Sequence, residues 1–364
     1  MESKSGDKLF LASCATYLVV LFAFVLIRIS VASGIFNEMN EQAFDVIFSV
    51  VSQVGVMFLM CYAGMRLYRG KRAPQVITYQ QYVAMNGAPE VDRGIFSMWG
   101  FHKPSKSTIG WAIGVGILLF FFNIFVSSFC NGILVALGHR GALSQQEDSF
   151  TGFGGFLIML VLVSFLPGLC EEMAHRGMLF TSFRKRLGVT RAVLLSSLLF
   201  GLMHLNIVQF FYATVLGYLM CWAVVVTRTI WTAVIMHAMN NGISVYLSFA
   251  RDNNWVGGNL ISGFSNMIGS GGIFVYLLLF WGIYYLIVAC IHQKAKDNFM
   301  NEHLHDENPP MLHRSRGMKA VKYYTSYGEK REGGRLNAVE LTVLLGVICL
   351  GSVITVMTLI WGLL

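Results

Sequence analysis

The stretch Phe165-Leu-Pro-Gly-Leu-Cys-Glu-Glu-Met-Ala-His-Arg-Gly177 decides the fold, because it places ionisable side chains inside a long apolar segment. Residues 155–166 before it are almost wholly apolar, and the apolar pattern resumes after it. A charge at the centre of a membrane helix costs roughly 2.5–3.5 kcal/mol, so Glu171, Glu172 and Arg176 facing lipid would together cost on the order of 10 kcal/mol. We therefore expect them to face a protein interior or a wet cavity, where ionisable groups mark a functional site.

The composition places the chain in the membrane class. Of its 364 residues, 55% are hydrophobic and 13% are charged, whereas soluble domains carry about 25% charged residues. The net charge of +8 does not indicate a nucleic-acid partner, because the basic residues lie between apolar segments and form no single patch. The seven cysteines fall in or beside apolar segments without paired spacing, which argues against a disulfide framework.

Apolar segments of spanning length recur along the chain and predict an all-α, polytopic membrane helix bundle of about nine transmembrane helices. The fifth segment is short. The predicted segments are 9–27, 44–65, 109–137, 153–183, 191–207, 209–227, 229–250, 271–291 and 337–364.

The placement of lysine and arginine sets the expected orientation. With the N-terminus inside, 23 of the 27 Lys and Arg residues fall in the inside segments, and three fall outside when Arg28 is counted there. Inside loops of membrane proteins carry such an excess of positive charge. The sequence therefore predicts an inside N-terminus, an outside C-terminus and an integral, multi-pass location, in the cell membrane if the source is bacterial.

We divide the chain into three parts. Residues 1–150 hold three spans and an inside loop, 66–108; residues 151–250 form the candidate catalytic core; residues 251–364 hold the last spans and a basic inside loop, 293–336. That second loop is expected to lie on anionic lipid or to be mobile. The aromatic stretch Phe96–Phe101 is expected to anchor the first loop at the membrane interface.

Three polar islands interrupt the later spans. The first is Glu171-Glu172 with Arg176, in which Glu172 and Arg176, or Glu171 and His175, can pair at i,i+4. Pro167, just before it, is expected to kink the helix. The second island ends at His204, one turn beyond Phe200. The third is a polar stripe on one helix face, and it comprises His237, Asn241, Ser244 and Ser248.

Depth along the helices predicts that the islands meet. Glu171, His204 and Asn241 each lie 13 residues from a basic residue at the inside end of their own segment, namely Arg184, Arg191 and Arg228. At 1.5 Å per residue all three polar groups lie about 20 Å from the inner face.

A carboxylate in an apolar surround is a stronger base than one in water, and a histidine opposite it can share a water molecule. His237 and Asn241 carry N–H groups suited to an oxyanion. This set of groups predicts amide hydrolysis inside a membrane.

The three motifs Glu-Glu-x-x-x-Arg, Phe-x-x-x-His and His-x-x-x-Asn, in this order, resemble the CAAX-protease and bacteriocin-processing family of intramembrane peptidases, which includes the type II CAAX prenyl endopeptidases. The resemblance covers about residues 153–250. It implies that Glu171 and His204 activate water, that His237 and Asn241 form the oxyanion hole, and that Glu172 and Arg176 support the site. His175 departs from the aromatic or apolar residue that is usual in the family before Arg-Gly, and it could perturb Glu171.

Metal dependence stays open in the sequence. No His-Glu-x-x-His pair is present, which excludes the common soluble type of zinc site. Glu171, His204 and His237 nevertheless form a set of two histidines and one carboxylate, which can hold catalytic Zn²⁺ with a position open for water. We expect a divalent metal, preferably zinc, because a metal lowers the pKa of its bound water to about 7. If a metal binds, His237 is a ligand and Asn241 alone faces the oxyanion.

Two classes of function remain at this level. The first is an intramembrane endopeptidase that cleaves a membrane-bound peptide or protein within the lipid bilayer. The second is a non-catalytic member of the same family, acting as a membrane scaffold or a bacteriocin self-immunity protein. The complete set of polar residues favours the enzyme. A transporter is disfavoured because the sequence shows no internal repeat. The substrate is left open among prenylated C-terminal peptides, leader peptides and membrane-protein segments.

Overall fold

The computed structural model describes residues 3–70, 94–140, 150–304, 306, 310–326 and 336–363, and its regular elements over these ranges are all helices. Seven helices in these ranges are long and apolar enough to cross a membrane. They are Lys8–Ala32, Glu41–Tyr68, Lys106–Ala136, Gly152–Leu187, Ile207–Thr227, Gly272–Glu302 and Ala338–Leu363. The two other predicted segments are also helical, at Val189–Met203 and Trp231–Asp252. The predicted class, a multi-pass helical membrane bundle, is confirmed.

The N-terminal part supplies three long helical rods. Helix α1 spans Ser3–Ala32; α2, Glu41–Val50, continues through the π-helical segment Val51–Met60 (π1) into α3, Cys61–Gly70; the short α4 spans Gly94–Met98; and α5 spans Lys106–Ala136. Asn40 and Ser105 are the N-cap residues of α2 and α5, and their side chains accept hydrogen bonds from the backbone N–H groups three residues ahead. These caps satisfy amides that have no partner within the helix.

The candidate core begins with one continuous rod of five segments. They are α6, Gly152–Met159; π2, Leu160–Phe165; α7, Leu166–Glu172; π3, Met173–Phe180; and α8, Thr181–Leu187. Gly188 has a φ of +80° and separates this rod from α9, Val189–Met203. Helices α10, Ile207–Thr227, and α11, Trp231–Asp252, follow. Helix α9 packs along α10 and π3, and α11 packs against α5 and α7.

The C-terminal part contains α12, Leu260–Glu302; α13, Met318–Ser326; and α14, Ala338–Leu363. The backbone of α12 breaks at Gly272, where φ is +63°. Part of the loop 293–336 is ordered helix packed on the bundle, and its expected contact with anionic lipid stays a prediction. Helix α12 extends to Glu302, and α13 packs on it with the Tyr324 ring 5.0 Å from that of Phe299.

The stretch Phe96–Phe101 is not simply an interfacial anchor. Trp99 is 1% exposed and lies deep in the bundle, and a Cβ atom on Gly177 would come within 3.0 Å of it. The backbone N–H of Ile230 donates to the carbonyl of Gly100 at 2.9 Å. One apolar core runs through all three parts of the chain. The division at residues 150 and 250 stays a prediction.

Candidate functional site

The Phe200 ring is the meeting point of the three polar islands. Its centroid lies 5.0 Å from that of His175, 5.4 Å from that of His204 and 5.8 Å from that of His237, each in an edge-to-face arrangement. The guanidinium carbon of Arg176 lies 4.3 Å from the same centroid, a cation–π contact. Side chains from π3, α9 and α11 therefore surround one aromatic ring, as the depth argument predicted.

Glu172 is the acceptor that joins two of these helices. Arg176 Nη1 donates to its Oε1 at 2.8 Å, and His237 Nδ1 lies 2.9 Å from the same oxygen. Arg176 Nη2 donates to the backbone carbonyl of Gly217 at 3.0 Å. A Cβ atom at Gly217 would come within 3.2 Å of Arg176 and 3.1 Å of Phe200, so a larger residue would push these two side chains apart. The predicted Glu172–Arg176 pair is confirmed, and it is almost wholly buried.

Glu171 has a different environment. Its Oε1 accepts a hydrogen bond from Gln53 Nε2 of π1 at 2.8 Å, and it makes no ion pair among the described residues. The residue is 6% exposed. His204 lies within electrostatic range of Glu171, and its Nδ1 donates to the carbonyl of Phe200 at 2.9 Å. Because Nδ1 carries the hydrogen, Nε2 of the neutral His204 ring is a free base.

His175 does not pair with the Glu171 carboxylate, so the i,i+4 pairing considered for these residues is wrong. Its Nδ1 instead donates to the backbone carbonyl of Glu171 at 2.8 Å, and its Nε2 lies 2.7 Å from the hydroxyl of Tyr17. His175 is fully buried. Its role in the structure is to fasten the helix that carries Glu171 to the first span.

A π-helical segment, Leu160–Phe165, ends just before Pro167, and the predicted kink at the proline stays a prediction. Because proline has no N–H, the carbonyl of Val163 lacks its usual partner. Asn241 Nδ2 donates to this carbonyl at 2.9 Å, and Asn241 Oδ1 accepts from Asn240 Nδ2 at 2.9 Å. Asn123 Nδ2 in turn donates to Asn240 Oδ1 at 3.1 Å. One N–H of the Asn241 amide is left for a ligand.

The residues proposed for zinc do not converge in this arrangement. Over the parts of the chain that the structure describes, no group of three or more His, Cys, Asp or Glu side chains is close enough to hold a metal ion. His237 Nδ1 is directed at Glu172, which leaves Nε2 for a ligand, and His204 also offers Nε2. Zinc binding stays a prediction from the sequence.

Three residues of the first three spans reach the site and were missed in the sequence. They are Tyr17, Gln53 and Asn123. Gln53 and Asn123 carried a usable signal, since each is an isolated amide side chain within an apolar span, where polar groups usually bond across helices. Tyr17 carried none, because no periodic pattern joins it to His175, which lies 158 positions further along the chain.

Fold and site together define a class: a multi-pass helical membrane protein with a carboxylate and histidine cluster in the interior of the bundle. Comparison with known proteins refines this class. Residues 153–243 match the family model of the type II CAAX prenyl endopeptidase Rce1-like proteins. The resemblance inferred from the three motifs is therefore confirmed over the candidate core.

A curated relative points the same way. The chain is 23% identical over 150 residues to a Bacillus subtilis (strain 168) protein named "Putative membrane peptidase YdiL". The match covers 40% of this chain, and the chain spans 62% of that relative's length. No solved structure matches the chain significantly.

Proposed function

We propose that this protein is an intramembrane endopeptidase that hydrolyses a peptide bond with a water molecule activated by Glu171 and His204. The observation that carries the proposal is the contrast between two adjacent glutamates. Glu172 is neutralised by Arg176, whereas Glu171 is bonded only to the neutral amide of Gln53 among the described residues. A nearly buried carboxylate without a cation is available as a base.

In the proposed reaction, Glu171 accepts a proton from water while the water oxygen attacks the carbonyl carbon of the scissile bond. The tetrahedral intermediate then collapses, the carbon–nitrogen bond breaks, and Glu171 returns the proton to the leaving amine. The unprotonated Nε2 of His204 accepts a hydrogen bond from the same water and orients it. Gln53 holds one oxygen of Glu171, so that the other oxygen faces the water.

The oxyanion is assigned to His237 and Asn241. Donation from His237 Nε2 while Nδ1 donates to Glu172 requires the protonated form of the ring. Asn241 donates with the N–H that the carbonyl of Val163 does not use. Glu172 and Arg176 therefore support catalysis by fixing the His237 ring.

The proposed substrate is a membrane-associated or lipidated peptide or protein. The name of the matching family suggests a prenylated C-terminal peptide, and the bacterial relative is named a membrane peptidase without a stated substrate. The position of the site within an apolar bundle supports a substrate that is already in the bilayer.

The test is substrate trapping with the Glu171→Gln variant. Replacing the carboxylate by an amide keeps the size of the side chain and removes the base, so bound substrates are expected to persist. Wild-type, Glu171→Gln and, as a control with an intact site, Cys170→Ala proteins are purified from the same membranes, and the co-purifying proteins are identified by mass spectrometry. New peptide termini are expected with wild type and Cys170→Ala only. Identical termini in membranes with wild type and Glu171→Gln would reject the proposal.

A further inference from the structure

A second polar site lies at the basic end of the bundle. A cavity of about 1040 Å³ opens between the residues around Trp99, the junction of α8 and α9, and helix α13. Its lining includes Arg176, but it does not include Glu171, His204 or His237. The cavity is therefore distinct from the candidate site for peptide hydrolysis, although the two share the Arg176 side chain.

The lining of this cavity is strongly cationic. Six of the lining residues are Lys or Arg, and the one acidic lining residue, Glu302, is paired with Arg228 at 2.7 Å. Lys185, Arg191 and Lys322 are exposed and make no ion pair within the described ranges of the chain. Positive charge at the rim thus exceeds what the described residues neutralise, which favours an anionic ligand.

Buried hydrogen-bond donors without partners line the same cavity. They are Trp99 Nε1, Arg176 Nε and Thr190 Oγ1, for which the described residues offer no hydrogen bond. Trp99 and Arg176 are each 1% exposed. Buried donors are normally satisfied, and each orphan therefore needs an explanation. Each of the three groups has a hydrogen to donate, so a ligand rich in acceptors would satisfy them together.

The N-terminus of α9 faces this cavity. Val189, Thr190 and Arg191, the first residues of the helix, belong to the lining. The N-cap position is Gly188, so no side chain caps the helix. The first amides of a helix and its dipole attract anions, phosphate above all. The uncapped end adds backbone donors to the cationic rim and the orphaned side-chain donors.

We propose that this cavity binds the phosphate headgroup of an anionic phospholipid. Phosphate offers several acceptor oxygens and negative charge in one group, which matches a site that is rich in donors and cations. A single peptide carboxylate would leave most of the unpaired rim cations without a partner. Phe180 and Val224 give the cavity an apolar wall, against which the lipid glycerol and acyl chains can pack.

The test is a binding measurement on the purified full chain, and it needs no substrate of the peptidase. Native mass spectrometry follows titration with phosphatidylglycerol, phosphatidylcholine, inorganic pyrophosphate and a peptide with a free C-terminal carboxylate. The Arg191→Gln/Lys322→Gln variant removes two rim charges. The Arg314→Gln/Lys319→Gln variant removes two exposed charges outside the cavity and serves as the matched control. Thr190→Val removes an orphaned hydroxyl with little change in shape.

Phosphatidylglycerol is expected to bind at least about tenfold more tightly than phosphatidylcholine, since each basic residue near an anionic headgroup contributes to affinity. The rim variant should lose about tenfold or more, Thr190→Val should bind more weakly, and the control should bind like wild type. If pyrophosphate binds and phosphatidylglycerol does not, the cavity is a phosphate site, but the proposal that its ligand is a lipid is overturned. Equal binding of both lipids, unchanged binding in the rim variant, or preference for the peptide carboxylate would overturn the proposal.

Discussion

Two adjacent glutamates in one apolar helix have opposite environments. Glu172 shares one oxygen between Arg176 and His237 and is fully buried, whereas Glu171 faces Gln53. Breaking a buried ion pair by removing one partner costs about 3–5 kcal/mol, because it leaves an uncompensated charge. Glu172 and Arg176 thus contribute to folding as well as to function, while Glu171 contributes little that the fold needs.

Gln53 is expected to position Glu171. Gln53→Leu removes the amide that holds the carboxylate, and a hydrogen bond to a charged group is worth about 1.5–3 kcal/mol. We expect kcat to fall by roughly tenfold or more with KM nearly unchanged, and the free energy of unfolding to fall by no more than that hydrogen bond contributes. Steady-state kinetics beside a melting curve measures both quantities. Ser49→Ala, a substitution in the same rod, is the control. A rise in KM at constant kcat would assign Gln53 to substrate binding instead.

The two nitrogens of His237 separate the metal-dependent and metal-free mechanisms. With Nδ1–H donating to Glu172, a neutral ring offers a bare Nε2, which suits a metal ligand, since ligating histidines commonly donate their other N–H to a carboxylate. A protonated ring offers an N–H instead, which suits an oxyanion. The same hydrogen bond therefore serves either mechanism.

The zinc expectation is tested by the metal content of active protein. If the set Glu171, His204 and His237 holds zinc, elemental analysis should find about one equivalent, and the His204→Ala/His237→Ala variant should lose it. Less than about a tenth of an equivalent in active wild-type protein, with activity that survives strong chelators, would contradict zinc binding.

Among the elements, the π-helical segments are concentrated at the site. Leu160–Phe165 and Met173–Phe180 flank the two glutamates, and Val51–Met60 carries Gln53. A π-helical turn is wider than an α-helical turn and is frequent at functional sites. The segment Leu160–Phe165 ends just before Pro167, and Asn241 Nδ2 donates to the Val163 carbonyl that the proline leaves without its usual partner. The same asparagine thereby locks α11 to the rod that carries the glutamates.

Helix α14 is tied to this rod by one buried ion pair. Arg186 Nε and Nη2 donate to the two oxygens of Glu340, each at 2.9 Å. Glu340 also caps its own helix with Asn337, through reciprocal hydrogen bonds of 2.9 Å. The side chains of Arg186 and Glu340 are 10% and 1% exposed. The last span is thus fixed at its N-terminal end.

Glu340→Gln is expected to destabilise the protein by about 3 kcal/mol or more, because it breaks a buried two-point ion pair with Arg186. Thermal unfolding in detergent measures the effect. Glu302→Gln, which breaks the exposed pair with Arg228, is the matched control and should cost less than about 1 kcal/mol. If the two variants lower the stability equally, the buried ion pair contributes no more to the free energy of unfolding than the exposed pair does.

At the scale of the whole molecule, the sequence was sufficient to predict those features that produce a locally unusual hydropathy or charge. The spans follow from apolar length, and the Glu172–Arg176 pair and the common depth of Glu171 and His204 follow from helical spacing. The contacts of Tyr17 and Gln53 with the core helices join residues more than 100 positions apart, and no periodic pattern encodes them. The burial of Trp99 was missed because an aromatic stretch beside basic residues also suits a membrane interface.

The orientation of the bundle is a further prediction at this scale. The excess of Lys and Arg in alternate loops predicts that Ser315, between α12 and α13, lies inside, and that Asp252, at the end of α11, lies outside. Ser315→Cys should react with a membrane-impermeant maleimide only after permeabilisation, whereas Asp252→Cys should react in intact cells, each measured above the wild-type background. Labelling of Ser315→Cys in intact cells would reverse the orientation.

The central claim is that Glu171 activates the water molecule that hydrolyses the peptide bond. Its most direct test is cleavage of a trapped substrate by purified protein in which the Glu171 carboxylate is replaced by an amide. Wild type, Glu171→Gln and Cys170→Ala are compared at equal amounts of folded protein. We expect Glu171→Gln to lose at least about a hundredfold in kcat, as for removal of a general base, while Cys170→Ala cleaves like wild type. Full activity of Glu171→Gln, or loss of activity in Cys170→Ala alone, would contradict hydrolysis by a glutamate-activated water.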